Sequence, residues 1–404
     1  MSREEDLVAR VRARRDELLR LCGELVAQPS VNPPGDVRGV ADVVVAYLER
    51  AGLTPEVHAL VPEMPSVVAR LDTGRPGPHV VWNAHMDTMP AGDPALWSVP
   101  IHETSERDGR LYGLGMGNMK GALAGMLVAL AVLAEDPSCL SGRVTLTAVS
   151  DEVVFGEHGT AHLLETLPDL LGDAVLSGEG PGFGRLAVAE KGVCWLELVA
   201  TADGGHSSAV RPGESASARL ARAVLAVDAL TGRRTVLPPE LAGLEGDGTD
   251  PGLLLTANVG TVAAGTFVGQ IATSGTAQAD LRLPPGTTMA ALQAEVAEAA
   301  GTGVDVRRLK GWDANWTSPD DALVRVVARA VEQVTGEQPE LAVRLPASDA
   351  SRWRRHGVPA ICYGPQPTLS AGIDDHALVE QLVDCAAVYA LATSRYTRDA
   401  AGAA

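Results

Sequence analysis

The stretch HVVWNAHMDTMP, residues 79–90, sets the reading of the fold. It opens as a short apolar run with β-branched and aromatic residues, the pattern of a buried strand, and closes on turn-forming residues and a proline. His85 and Asp87 stand two residues apart within it. In an extended chain both side chains leave the same face at the strand's carboxyl end, where open α/β sheets place their sites. A metal-bound imidazole with a neighbouring carboxylate fits that spacing, and so does a hydrogen-bonded pair with no ligand at all.

Upstream, residues 3–27 and GVADVVVAYLERAG (39–52) have helical periodicity, and PSVVARL (65–71) reads as a strand. Downstream come an Ala/Leu-rich helix from Lys120 to Glu135, the strand RVTLTAV (143–149) and a short strand ahead of Glu179. From about Lys191 the rhythm changes to strand, helix, two strands, helix and strand, ending at GVDVRRL (303–309). That βαββαβ order is the split arrangement of a ferredoxin-like domain. After the turn-rich GWDANWTSPDD (311–321), the helix ALVRVVARAVEQV and the strand PAICYGP resume the first pattern. The expected fold is α/β. A larger domain with a mainly parallel mixed sheet, residues 1–189 and 311–404, is interrupted by a ferredoxin-like domain at 190–310.

With 404 residues, 46% hydrophobic, the chain has enough apolar material for a core in each domain. A net charge of −18 without a local basic patch repels phosphate backbones and anionic headgroups, so neither nucleic acid nor membrane is an expected partner. No uninterrupted apolar run reaches the roughly 20 residues of a bilayer span, and the N-terminal helix carries both charge signs rather than a secretory signal. Cys22, Cys139, Cys194, Cys362 and Cys385 are scattered and odd in number, which fits reduced thiols and a cytoplasmic location.

Further motifs follow in order: YGLGMGNMKGALAG (112–125), SDEVVFGEHGT (150–160), SGEGP (177–181), DGGHSS (203–208), PASDASRW (346–353) and GVPAICYGP (357–365). Together with the 79–90 stretch they resemble the zinc-dependent metallopeptidase family of aminoacylase, acetylornithine deacetylase, succinyl-diaminopimelate desuccinylase and glutamate carboxypeptidase. The resemblance implies that His85 is a metal ligand with Asp87 behind it, that Glu152 is the general base and that Glu179 is a carboxylate ligand. It implies further that His206 polarises a substrate carbonyl across a dimer, that Arg282 grips a substrate carboxylate and that Asp349 lines the cleft. The inserted domain would then carry a homodimer contact.

The family's Asn-x-Val-Pro is absent from GTFVGQIATS (265–274) in the inserted domain, and three metal-binding positions of the family are altered. Asn118 stands where the family has an aspartate bridging two zinc ions, and Val153 stands where it has a glutamate ligand. Ala371 falls at the last histidine ligand, with His376 as the near alternative and Asp375 at an acidic position. One site keeps His85 and Glu179 with Asn118 as third donor; the other keeps no charged ligand. Because a neutral amide does not bridge two cations as a carboxylate does, the expectation is at most one zinc or other divalent ion per chain, with a metal-free site as the alternative.

Each residue also has a structural reading. Glu152 could cap a following helix, His206 could be a turn residue, Arg282 a strand cation, Asp349 a helix cap, and Lys120 a donor to a loop carbonyl. His158 and His162 stand four apart but lack the glutamate of a His-Glu-x-x-His zinc motif. The favoured function is hydrolysis of the amide bond of an N-acyl amino acid or short peptide bearing a free carboxylate, with Glu152 as base. The alternatives are an acyl-transfer or amide-forming enzyme, and a non-catalytic binding or scaffold protein that uses the old cleft.

Overall fold

The strand read from residues 79–90 forms as His79–His85 and is buried at every position. It lies between two parallel neighbours, Arg143–Val149 and Ala174–Ser177, and Ala360–Cys362 extends the parallel run beyond the latter. Ser66–Asp72 and Glu56–His58 continue the sheet antiparallel on one side, and Arg185–Glu190 does so on the other. The result is a large mixed sheet with a parallel centre. Near-continuous apolar strands are what burial on both faces demands. The computed structural model describes residues 2–246, 249–365 and 372–401.

The helix Gly121–Glu135 is buried through Leu133 on all sides, which suits its uniformly small and apolar sequence. It packs against Arg15–Val26, Arg38–Arg50, the strand His79–His85 and the closing helix Val379–Ala401. The indole N–H of Trp82 donates to Thr393 Oγ1 (2.8 Å), tying the central strand to that closing helix. With its preceding turn, Met116–Glu135 is long and apolar enough to cross a bilayer, although Lys120 interrupts its apolar run. It is 94% buried within the protein and serves as a core helix.

The N-terminal region, read as one helix over 3–27, forms two, Arg3–Arg12 and Arg15–Val26. Ser2 and Glu5 make a reciprocal capping box at the start of the first. At the break, the Arg14 guanidinium pairs with Glu17 and Glu135.

The chain divides into two compact units: Met1–Val188 with Thr317–Ala342 and Ser348–Ala404, and Ala189–Trp316 with Val343–Ala347. In the second unit, strands run in the order Thr256–Ala264, Ser274–Leu283, Gly192–Thr201, Val304–Trp312, each antiparallel to its neighbours. Alternate residues such as Leu196, Leu198, Ala277 and Ala279 turn inward to meet Leu220 and Val227 of helix Ala216–Asp228 and Leu292 and Val296 of helix Met289–Ala300. This is the period-two burial of a sheet covered on one face.

Candidate functional site

The parallel strands of the larger unit end side by side, and each end delivers a polar group. His85 closes its strand; Glu152 lies in the turn after Arg143–Val149; Glu179 follows Ala174–Ser177. Chain segments far apart in sequence thereby meet at the carboxyl edge of one sheet. Nε2 of His85 lies 3.7 Å from Glu152 Oε2, 3.8 Å from Glu179 Oε1 and 3.1 Å from Asn118 Oδ1. One ligand atom from each of His85, Glu152 and Glu179 falls within 4.8 Å of the others, and all three side chains are buried.

Two glycines clear the approach to Glu179. A Cβ on Gly180 would stand 2.2 Å from the Gly364 carbonyl, and one on Gly364 would stand 1.9 Å from the Gly178 carbonyl, so only glycine lets these chain ends pack. At Gly159 a Cβ would meet the Ser150 carbonyl at 1.8 Å, which keeps the segment after Glu152 against its strand.

Asp87 sits behind the histidine. The Nδ1–H of His85 donates to the Asp87 main-chain carbonyl (2.8 Å), which leaves Nε2 facing the carboxylates and Asn118. The Asp87 carboxylate accepts from Asn32 Nδ2 (2.8 Å), from the Glu152 amide (3.3 Å) and from the Val153 amide (3.0 Å). One buried carboxylate therefore fixes the backbone that carries Glu152. Burial alone would raise the Asp87 carboxyl, but the His85 ring, the Asn32 amide and the Val153 N–H hold it below its ordinary value.

Burial also works against charge on His85, yet the charges of Glu152, Asp87 and Glu179 outweigh it and hold the imidazole up to about 10. Nε2 stands 3.1 Å from Asn118 Oδ1, at the point where the donors converge. Glu152 is pushed well above its ordinary value by burial and then by the charge of Glu179, with His85 opposing. Its Oε1 is buried without a hydrogen-bond partner among the described residues.

The other residues singled out in the sequence fall differently. Val153 is half-buried and offers only its amide, to Asp87. Glu152 caps no helix, since it lies in a turn and the next helix starts at Thr160. Asp349 makes no helix-capping bond; it accepts from Thr160 Oγ1 (2.6 Å) and Arg352 Nε (3.2 Å), and Arg352 Nη2 donates to the Gly156 carbonyl (2.5 Å). Lys120 donates to the Gln28 carbonyl (2.7 Å) and is pushed down to about 7 by burial, against the charges of Asp375 and Asp87. Asp375 accepts from the Gly115 and Gly117 amides (2.7 and 3.1 Å), holding the glycine-rich turn ahead of Asn118.

His376 is not in the group of converging ligand atoms among the described residues. Its strand pairs with Arg110–Tyr112, its ring stacks 5.0 Å from Tyr112, and its Nδ1 donates to the Asp374 carbonyl (2.8 Å). Ala371 lies outside the described residues. His158 Nδ1 bonds Asp151 Oδ2 (2.7 Å) rather than sharing a ligand with His162. In the second unit, His206 is exposed, with Nδ1 bonded to Ser208 Oγ (2.8 Å), and Arg282 forks onto Asp280 through Nε and Nη2 (2.9 and 2.8 Å). The sequence reading missed Asn32 and Arg352, whose partners lie 55 and 196 residues away and leave no local signal.

The profile of peptidase family M20/M25/M40 matches residues 81–395, a span that includes the whole converging group. The chain belongs to this family. Membership makes it a hydrolase of amide bonds, in a family whose enzymes depend on metal, typically a zinc pair. It is 29% identical over 396 residues to a succinyl-diaminopimelate desuccinylase of Rhodospirillum centenum, covering 94% of this chain and 97% of that one. In fold it is similar to the dipeptidase Dug1p of Saccharomyces cerevisiae, with a TM-score of 0.78 at 12% identity over 98% and 99% of the two chains. A similar likeness holds to YXEP of Bacillus subtilis, a dinuclear metal-binding peptidase of family M20 (TM-score 0.67, 16% identity, 96% and 99% covered).

Among the described residues, the group of His85, Glu152 and Glu179 fits a divalent cation. Zinc–ligand bonds of about 2.0–2.2 Å place tetrahedral donors roughly 3.3 Å apart, within a small side-chain adjustment of the observed spacings. The buried, unpartnered Glu152 Oε1 marks a carboxylate whose charge lacks full compensation. Val153, at the position of a further family ligand, supplies only hydrocarbon and an amide that Asp87 already holds.

Proposed function

We propose that this chain hydrolyses the amide bond of an N-acyl amino acid or short peptide with a free carboxylate, using one divalent cation and Glu152 as general base. The observation that carries the reading is the convergence of His85, Glu152 and Glu179 within 4.8 Å beside a neutral Asn118. His85 Nε2 and a Glu179 oxygen would hold the cation, with Asn118 Oδ1 as a weak donor. When bound, the cation supplies Lewis acidity toward water and the substrate carbonyl.

The chain's own groups do the rest. Asp87 fixes the His85 tautomer and, through the Glu152 and Val153 amides, the position of the base. Glu152, buried and raised, takes a proton at Oε1 from the attacking water and passes it to the leaving amine. Burial of the cluster keeps bulk water from competing.

N-succinyl amino acids stand first among the proposed substrates, a choice supported by the succinyl group in the name of the Rhodospirillum centenum relative. Arg282 is the proposed carboxylate grip, its charge offset by Asp280, and His206 the proposed carbonyl donor supplied by a second copy. The second unit, with its βαββαβ order, is the proposed ferredoxin-like dimerisation and lid domain. The domain limits 1–189 with 311–404 and 190–310, and a cytoplasmic location, belong to the same reading.

An assay of N-acetyl and N-succinyl amino acids and dipeptides, with zinc added back after chelation, tests it. Turnover of one class, lost on chelation and restored by metal, is expected. Glu152→Gln should lower kcat by about 10²–10⁴-fold, the usual worth of a general base. No hydrolysis across the panel, or hydrolysis indifferent to chelator, would refute the reading. The surviving base and carboxylate grip also suit acyl transfer to an amine. Finding only the free acid when an amine is supplied would dismiss that variant.

A further inference from the structure

The motif positions alone assign the cation to His85, Asn118 and Glu179 and reserve Glu152 for proton transfer. We infer instead that Glu152 is itself a ligand in this chain, binding through Oε2 and leaving Oε1 to handle the proton. The inference rests on the single-cation reading above.

Geometry is the first reason. Glu152 Oε2 lies 3.7 Å from His85 Nε2, as near as Glu179 Oε1 at 3.8 Å, and the three donors fall within 4.8 Å of one another. A carboxylate separated from the cation by a water molecule has no need to stand so close to a ligand nitrogen.

Charge is the second. Neutral His85 and Asn118 with Glu179 offer one negative charge to a dication in a buried site. Adding Glu152 makes the inner set neutral, which a low-dielectric interior strongly favours. Where a bridging carboxylate would have supplied that charge, this chain has Asn118, and Glu152 is the further buried carboxylate that faces His85 Nε2, at 3.7 Å.

The third is the condition of Glu152 itself. It is 6% exposed, and Oε1 has no hydrogen-bond donor among the described residues. Its backbone is anchored, with its own amide and that of Val153 both donating to Asp87, which also fixes the His85 ring through its carbonyl. Two of the three donors are therefore set by one residue, as a ligand pair requires. The loss of a carboxylate at Val153 removes the second cation that would otherwise hold Glu152 in the role of base alone.

The test is metal affinity on the full chain, read by cobalt(II) visible absorption and zinc(II) calorimetry rather than by activity. Wild type is expected to bind one equivalent. Glu152→Gln, close to isosteric, should weaken binding about a hundredfold or more, at least what an outer-shell partner is worth, and change the cobalt spectrum. Asn118→Ala should weaken binding less than tenfold. If the glutamine variant does not fold, Glu152→Asp, which keeps the charge but draws the oxygens back by one methylene, should bind more weakly than wild type with a shifted spectrum. One equivalent in wild type with affinity and spectrum unchanged in the Glu152 variant overturns this inference alone. Binding of none or of two overturns the single-cation reading with it.

Discussion

Asn118 Oδ1 lies 3.1 Å from His85 Nε2, and a carboxylate at that position would turn a weak donor into a charged one. Asn118→Asp is therefore expected to tighten binding of one divalent ion by about ten- to hundredfold, since unit charges some 4 Å apart interact by about 4 kcal/mol at most near a protein surface. Calorimetry should show the gain in affinity without a second equivalent, because Val153 remains. Asn118→Asp with Val153→Glu should bind a second ion; failure of the double variant to do so would mean that the altered positions are not what limits the site. At this scale the sequence was informative where residues sit in ordered motifs. His85, Glu152 and Glu179 were legible as a set. Glu152 as a ligand was not, because spacing along the chain says nothing of which carboxylate oxygen turns toward Nε2.

Among the elements, the strand His79–His85 begins as well as ends on a histidine. His79 Nε2 bonds Thr145 Oγ1 (2.8 Å) and Nδ1 accepts from Arg143 (3.2 Å), so the ring is neutral. Burial and the Arg143 charge push it down to about 4. The unfolded chain takes up this proton near pH 6.5 while the folded chain resists it to about 4. The stability it contributes is present above pH 6.5 and is lost as pH falls through that window. His79→Gln should flatten the dependence of urea midpoint on pH between those values; an unchanged slope would contradict the assignment. Gly364→Ala, which drives a Cβ into the Gly178 carbonyl, should cost about 1–3 kcal/mol in urea unfolding and weaken metal binding, because the displaced chain carries Glu179. The parallel strands and the apolar core helix were readable from periodicity. The break at Arg14 was not, because its partner Glu135 lies across the fold.

For the whole molecule, the alternation of strand and helix makes the α/β class legible in the sequence. The contacts that knit the site leave no such trace along the chain. Asn32 to Asp87, Arg352 to Gly156 and Asp375 to the glycine-rich turn span 55, 196 and 260 residues, and no local pattern encodes such pairings. A cation bound only by the folded chain also stabilises it. At about a hundred times its dissociation constant it should add about 2.7 kcal/mol to unfolding, read as a higher Tm that chelator removes. The account turns on how many cations this cluster neutralises. Elemental analysis by plasma mass spectrometry, on protein purified without chelator and then equilibrated with excess zinc and desalted, measures that directly. The account predicts close to one zinc per chain; close to two would contradict it.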